Sequence, residues 1–112
     1  MENLAEQYEA NAALVEQRLS MGDLAEQARP LDHSAYFPKK AVDAAIDELT
    51  KAGFEIQNVK KGLRRAHVEF SRIDAADLDS VNESTRQIMG ITSNHGGTYD
   101  GWAGFIVDEP QK

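Results

Sequence analysis

Leu4, Tyr8, Ala12, Val15 and Leu19 recur every three or four residues, which predicts a helix with one apolar stripe and a Glu/Gln-rich opposite face. Gly22 and Pro30 punctuate its end, with MGDLAEQARP (21–30) as the connection, and its stripe is expected to dock on the rest of the molecule. DHSAYF (32–37) alternates as a short strand with Ala35 and Phe37 inward, and parity sends His33 to the same side. Pro38 suits the first turn of a second helix, whose stripe is Ala41, Val42, Ala45, Ile46 and Leu49 and whose left-handed cap is Gly53. FEIQNV (54–59) and RRAHVEFSRI (64–73) read as two strands joined by KKGL (60–63), where Gly62 supplies an unusual backbone angle. Ala66, Val68 and Phe70 share one face of the second of these strands, and His67, Glu69 and Ser71 share the other. Asp74 is placed to cap a third helix, with Asp77 in its first turn and Leu78, Val81, Ile88 and Met89 as apolar positions. SNHGG (93–97) ends that helix, and TYDGWAGFIV (98–107) closes the fold as a last strand.

The predicted order is a helix followed by strand-helix-strand-strand-helix-strand. With right-handed crossovers this builds an α+β, ferredoxin-like βαββαβ antiparallel sheet with two helices on one face, plus the N-terminal helix. One domain is expected over 1–112, with the first helix over about 2–20 and the α+β body over about 31–108. Hydrophobic residues at 41% and charged residues at 28% are ordinary globular values, which argues against wholesale disorder.

Charge and missing residue types narrow the partners. There is no cysteine, so disulfides and thiolate metal sites are excluded and a reducing compartment fits. No apolar run approaches the ~20 residues that span a bilayer, and the acidic start MENLAEQYEA is unlike a signal peptide. A cytoplasmic protein without membrane contact is expected. The formal net charge is −7, and residues 1–30 carry six acids against Arg18 and Arg29. Such a surface repels a nucleic-acid backbone and attracts basic protein segments. The exception is Lys60, Lys61, Arg64 and Arg65, a positive patch at the hairpin that could meet phosphate or an acidic partner. No aromatic residue interleaves with it in the sequence, and a solvated hairpin tip is its commoner explanation.

Candidate chemistry is sparse. His33, His67 and His95 lack the spacing of a helical ligand pair, and strand parity separates the first two, so no metal is expected. Asp32, His33 and Asp100 invite an acid–base reading, but no nucleophile motif or phosphate-cradling glycine loop accompanies them. GGTYDGW (96–102) concentrates turn-forming glycines with Tyr99 and Trp102, the single tryptophan. Physics alone leaves those two rings equally readable as binding anchors or as core plugs.

GGTYDGWAGFIVDEP (96–110) resembles the C-terminal strand of the regulator of ribonuclease activity B (RraB) family, whose members carry a similar Tyr-Asp-Gly-Trp signature. MGDLAEQARPLDHSAYFPKKAVDAAIDELTKAGFEI (21–56) is similar to the family's Gly-Asp turn, Asp/Glu-His strand and helix ending in Gly-Phe/Tyr. The resemblance covers most of the chain from Gly22 to Pro110. It implies a ferredoxin-like α+β sandwich and a non-enzymatic role, with no catalytic residues and no cofactor. The implied role is to bind ribonuclease E, the endonuclease that organises the bacterial RNA-degrading complex, and to restrain it by protein contact. The matching positions are Asp32, His33, Gly97, Tyr99, Asp100, Gly101 and Trp102. Tyr99 and Trp102 become candidate anchors for the partner, with Asp100, Asp32 and His33 beside them.

The better-known members carry a long acidic C-terminal tail, whereas this chain stops at DEPQK. Either the acidic N-terminal helix takes its place or the partner differs. Two other readings are weighed against this one: a small enzyme using Asp32, His33 and Asp100, and an RNA contact through Lys60, Lys61, Arg64 and Arg65.

Overall fold

Strand β1 (Arg29–Pro38) alternates without a break, burying Leu31, His33, Ala35 and Phe37 and exposing Pro30, Asp32 and Tyr36. The computed structural model describes residues 3–109, so Glu2 and residues 110–112 of the sequence reading lie outside the described residues. β3 (Arg65–Asp74) and β4 (Thr98–Ala103) flank β1, and β2 (Glu55–Lys61) lies beyond β3. The order is β2-β3-β1-β4, with every neighbouring pair antiparallel. Helices α1 (Leu4–Ser20), α2 (Val42–Lys51) and α3 (Leu78–Asn94) complete an α+β architecture.

The buried sheet face meets the helices in one main core. Val42, Ala45 and Leu49 of α2 and Ile88, Met89 and Ile91 of α3 pack with Ala35, Phe37, Ala66, Val68 and Phe70. A second, smaller cluster joins Val15 of α1 to Leu31, Ala76 and Val81, with Leu78 and Trp102 packed against it. Among the described residues no helix is long and apolar enough to cross a membrane.

Helix α1 docks as expected, but by a different stripe. Its buried residues are Asn11, Val15 and Arg18, and Leu19 is exposed. The side facing α3 is therefore partly polar, which a hydrophobic pattern cannot reveal. A polar side chain is tolerated there because its hydrogen bonds are made inside.

Several boundaries move for identifiable reasons. Pro38 ends β1 opposite Arg65 instead of opening α2, and the Lys39 N–H donates to the Arg64 carbonyl. Asp74 ends β3 and pairs with Arg72 at 2.7 Å, so the cap of α3 is Asp77, which accepts from the Ser80 N–H. Gly53 has the expected left-handed φ of 93°, but Gly62 does not adopt positive φ. β4 stops at Ala103, and the chain beyond it is held by side chains of α1 and β1 instead of by a ladder.

Gly97 is needed for space. A Cβ there would lie 2.6 Å from both Phe37 Cδ1 and the Tyr36 carbonyl oxygen. Gly97→Ala is expected to cost about 1–3 kcal/mol by overpacking, read as a lower urea midpoint with an unchanged slope.

Candidate functional site

The Tyr-Asp-Gly-Trp stretch is a bulged strand. Tyr99 pairs with Ala35, Gly101 with Ser34 and Trp102 with His33, so the register slips between Ser34 and Ala35. An unbroken strand would send residues three apart to opposite faces. The extra residue instead turns both Tyr99 and Trp102 toward the helices and Asp100 toward the open face, where it accepts from Ser34 Oγ at 3.2 Å. Gly101 takes the positive φ of 115° at this point. The Asp-Gly pair thus sets which way two aromatic rings face.

Tyr99 is buried, and its hydroxyl lies 2.8 Å from Nδ1 of His33. His33 stacks on Phe70 with centroids 5.6 Å apart and meets Phe54 edge-on. Its Nε2 is buried without a hydrogen-bond partner among the described residues. Burial, and secondarily the Arg72 charge, lowers its pKa to about 4, so it is a neutral core imidazole.

Trp102 keeps part of its surface exposed, and its indole Nε1 donates to Asn11 Oδ1 at 3.0 Å. The Asn11 amide donates in turn to Asn82 Oδ1 and Thr85 Oγ1, so this one side chain joins α1, α3 and β4. The Arg18 guanidinium sits 5.3 Å from the Trp102 ring centroid and donates to the carbonyls of Gly104 and Phe105.

Beside Arg18 lies a buried ionic clasp. Asp23 accepts from Arg29 at 2.7 Å and from the Val107 N–H at 2.9 Å, and its other oxygen faces Arg18 Nε at 3.7 Å. Arg29 also donates to the carbonyls of Leu24, Gln27 and Phe105. Burial pushes the Asp23 carboxyl up, but the Val107 N–H and Arg29 outweigh it and hold the group below its ordinary value. Arg18, Asp23 and Arg29, whose charges suggest surface positions, are interior, because each meets its hydrogen-bonding partners inside the fold.

The clasp draws the segment after β4 against the end of α1. Leu19, Met21, Leu24 and Phe105 are exposed there, four of the seven exposed large apolar residues among those described. Exposed acids Glu16, Glu26, Asp108 and Glu109 belong to the same segments. Apolar residues gathered this way on a surface are a feature of contact sites.

The five residues singled out in the sequence separate into two groups. His33, Tyr99 and Trp102 face the helices, and the first two have almost no surface to offer a partner. Asp32 and Asp100 are exposed on the open sheet face, so the fold does not bring Asp32, His33 and Asp100 together as an acid–base set. The basic residues lie elsewhere again. Lys60 pairs across the sheet with His67 and His67 with Tyr36, while Arg65 stands 4.8 Å over the Tyr36 ring. Tyr36 joins that patch through the pairing of β1 with β3, although it is distant from the hairpin along the chain.

A model of the family described as regulator of ribonuclease activity B matches residues 8–103, which include all four strands and most of α1. The chain belongs to the RraB family. No match was found among curated proteins. The matched region contains the β4 bulge, the Asn11–Trp102 bridge and the Arg18–Asp23–Arg29 triad.

Proposed function

We propose that this RraB-family chain is a non-enzymatic regulator that binds ribonuclease E and restrains its cleavage of RNA. The observation that carries the reading is the family match over 8–103, which spans the whole sheet. The contact surface is the corner where α1 ends against the segment after β4. Leu19, Met21, Leu24 and Phe105 supply the apolar centre, Arg18 links Trp102 to the Phe105 backbone, and Glu16, Glu26, Asp108 and Glu109 form an acidic rim. A basic segment of the nuclease suits that rim, and its association should weaken as salt rises. Asp32 and Asp100 stay available as charged contacts on the open face, and Tyr99 and His33 act by fixing the strand that carries Trp102.

The strand order and antiparallel pairing support reading the body as ferredoxin-like. We further read the chain as one domain that works in the cytoplasm.

The test is a binding titration against purified ribonuclease E with Phe105→Ala and Met21→Ala. Both side chains are exposed, so the fold should hold, and loss of a true anchor costs about 2 kcal/mol, roughly thirtyfold in affinity. Wild-type affinity in both folded variants would remove this corner from the account.

A further inference from the structure

We propose that the end of the open sheet face around Tyr36 and His67 is a binding site for single-stranded RNA, separate from the protein-contact corner. Three observations converge on it. First, the Tyr36 and His67 rings are cross-strand neighbours with centroids 4.7 Å apart, on the face that the helices leave open. Second, the Arg65 guanidinium lies over the Tyr36 ring and Lys60 is the cross-strand partner of His67, so cations flank both rings.

Third, the surrounding charge is concentrated and mostly uncommitted. Lys39, Lys40, Lys60, Lys61, Arg64 and Arg65 are half of the chain's twelve Lys and Arg residues, and all six are exposed. The backbone bond from the Lys39 N–H to the Arg64 carbonyl brings the turn after β1 against the β2–β3 hairpin, which gathers the six. Their one ion pair among the described residues is Lys61 with Asp43 at 4.0 Å, exposed on both sides and therefore weak. Among the other described residues the charges are taken: Arg18 and Arg29 by Asp23, Lys51 by Asp47, Arg72 by Asp74 and Arg86 by Glu83. In a molecule of formal net charge −7, this end is a local positive field.

The rings decide which polyanion fits. An acidic peptide would use the six cations and leave Tyr36 and His67 idle. A nucleotide has a phosphate for the cations and a flat base that stacks on a ring or on a guanidinium plane. Bases in a duplex present no free face, so the strand must be single. The acidic residues farther along the open face, Glu69, Asp100 and Asp32, confine the strand to this end of the sheet. Regulation would then place the protein on the nuclease and on the RNA together.

The experiment is fluorescence anisotropy of a labelled single-stranded RNA of about a dozen nucleotides titrated with the full chain, without nuclease. Binding should be measurable at low salt and fall steeply as salt rises. Tyr36→Ala should weaken it about tenfold, Tyr36→Phe should keep it, and Arg64→Glu with Arg65→Glu should abolish it. Duplex RNA of the same sequence should bind much more weakly, and a poly-glutamate peptide should compete poorly. Absence of binding at low salt, or Tyr36→Ala and the charge reversal binding like wild type, would overturn the site. Equal binding of duplex, or efficient competition by poly-glutamate, would reduce it to a plain basic surface and overturn the stacking claim. None of these results depends on ribonuclease E, so this proposal can fail while the regulator reading stands.

Discussion

Asp23→Ala is expected to cost about 3–5 kcal/mol of folding stability, the largest effect of any single substitution considered. Asp23 is the one carboxylate within ion-pair distance of both Arg18 and Arg29 among the described residues, and all three side chains are buried. Removing it leaves two buried guanidinium groups facing each other without a counter-charge and frees the Val107 N–H as well. The large number measures that uncompensated burial, and the intact pair contributes far less net stability. Asp23→Asn separates charge from shape: it can still accept from Val107 but leaves the two cations unneutralised, so it should lose most of the same stability. Urea denaturation of the three proteins at neutral pH decides the point. A loss below about 1 kcal/mol for Asp23→Ala would mean that water reaches the site and the clasp does not hold the corner. The clasp also positions Phe105 and the surroundings of Trp102, so variants that remain folded should bind the proposed partner poorly.

Stability is also expected to fall between pH 6.5 and 4 because of His33. In the folded protein its pKa is lowered to about 4, while the unfolded chain has the ordinary value of 6.5. Below pH 6.5 the unfolded state takes up a proton that the folded core refuses, so acid favours unfolding. The contribution is fully present above pH 6.5 and is lost progressively toward pH 4. A gap of that size corresponds to roughly 3 kcal/mol. Carboxylates titrate in the lower part of the same range, so the informative quantity is the difference between wild type and His33→Leu. The variant gives up the Tyr99 hydrogen bond and should be less stable at pH 7.5, but its stability should vary less from pH 7 to 4.5. Parallel pH profiles for the two proteins would show that His33 is hydrated or protonated in the native state.

The elements were legible in the sequence because each carries its own periodicity. Val42, Ala45 and Leu49 of the α2 stripe are buried, with Ala41 falling just before the helix at its N-cap; the alternation of β1, that of β3 as far as Phe70, and Gly53 past the end of α2 stand. Strand parity alone placed His33 inside and His67 on the other face. Failures came where long-range polar contacts override local pattern. Asn11 and Arg18 look like the wet side of a helix until Thr85, Asn82, Trp102 and the Phe105 carbonyl arrive from distant positions. Asp23 looks like a turn residue until two arginines close on it.

The candidate site was legible only as a signature. The Tyr-Asp-Gly-Trp stretch pointed to a special strand, and its Asp-Gly pair is the local sign of a bulge. Which way the rings turn follows from register with β1, and register is a property of the pair of strands. The same holds for Tyr36: nothing in its neighbourhood along the chain announces the basic hairpin that β3 brings to it.

Restraint of a ribonuclease by protein contact would be seen in an inhibition assay. Purified ribonuclease E would cleave a fixed RNA substrate while this protein is titrated from sub-stoichiometric amounts to a large excess. Wild type is compared with Phe105→Ala and with Tyr36→Ala at a salt concentration that suppresses RNA binding by the protein alone. Wild type and Tyr36→Ala should give a saturable fall in cleavage, and Phe105→Ala a strongly weakened effect. Unchanged cleavage at saturating wild-type protein would mean that this chain does not restrain the nuclease.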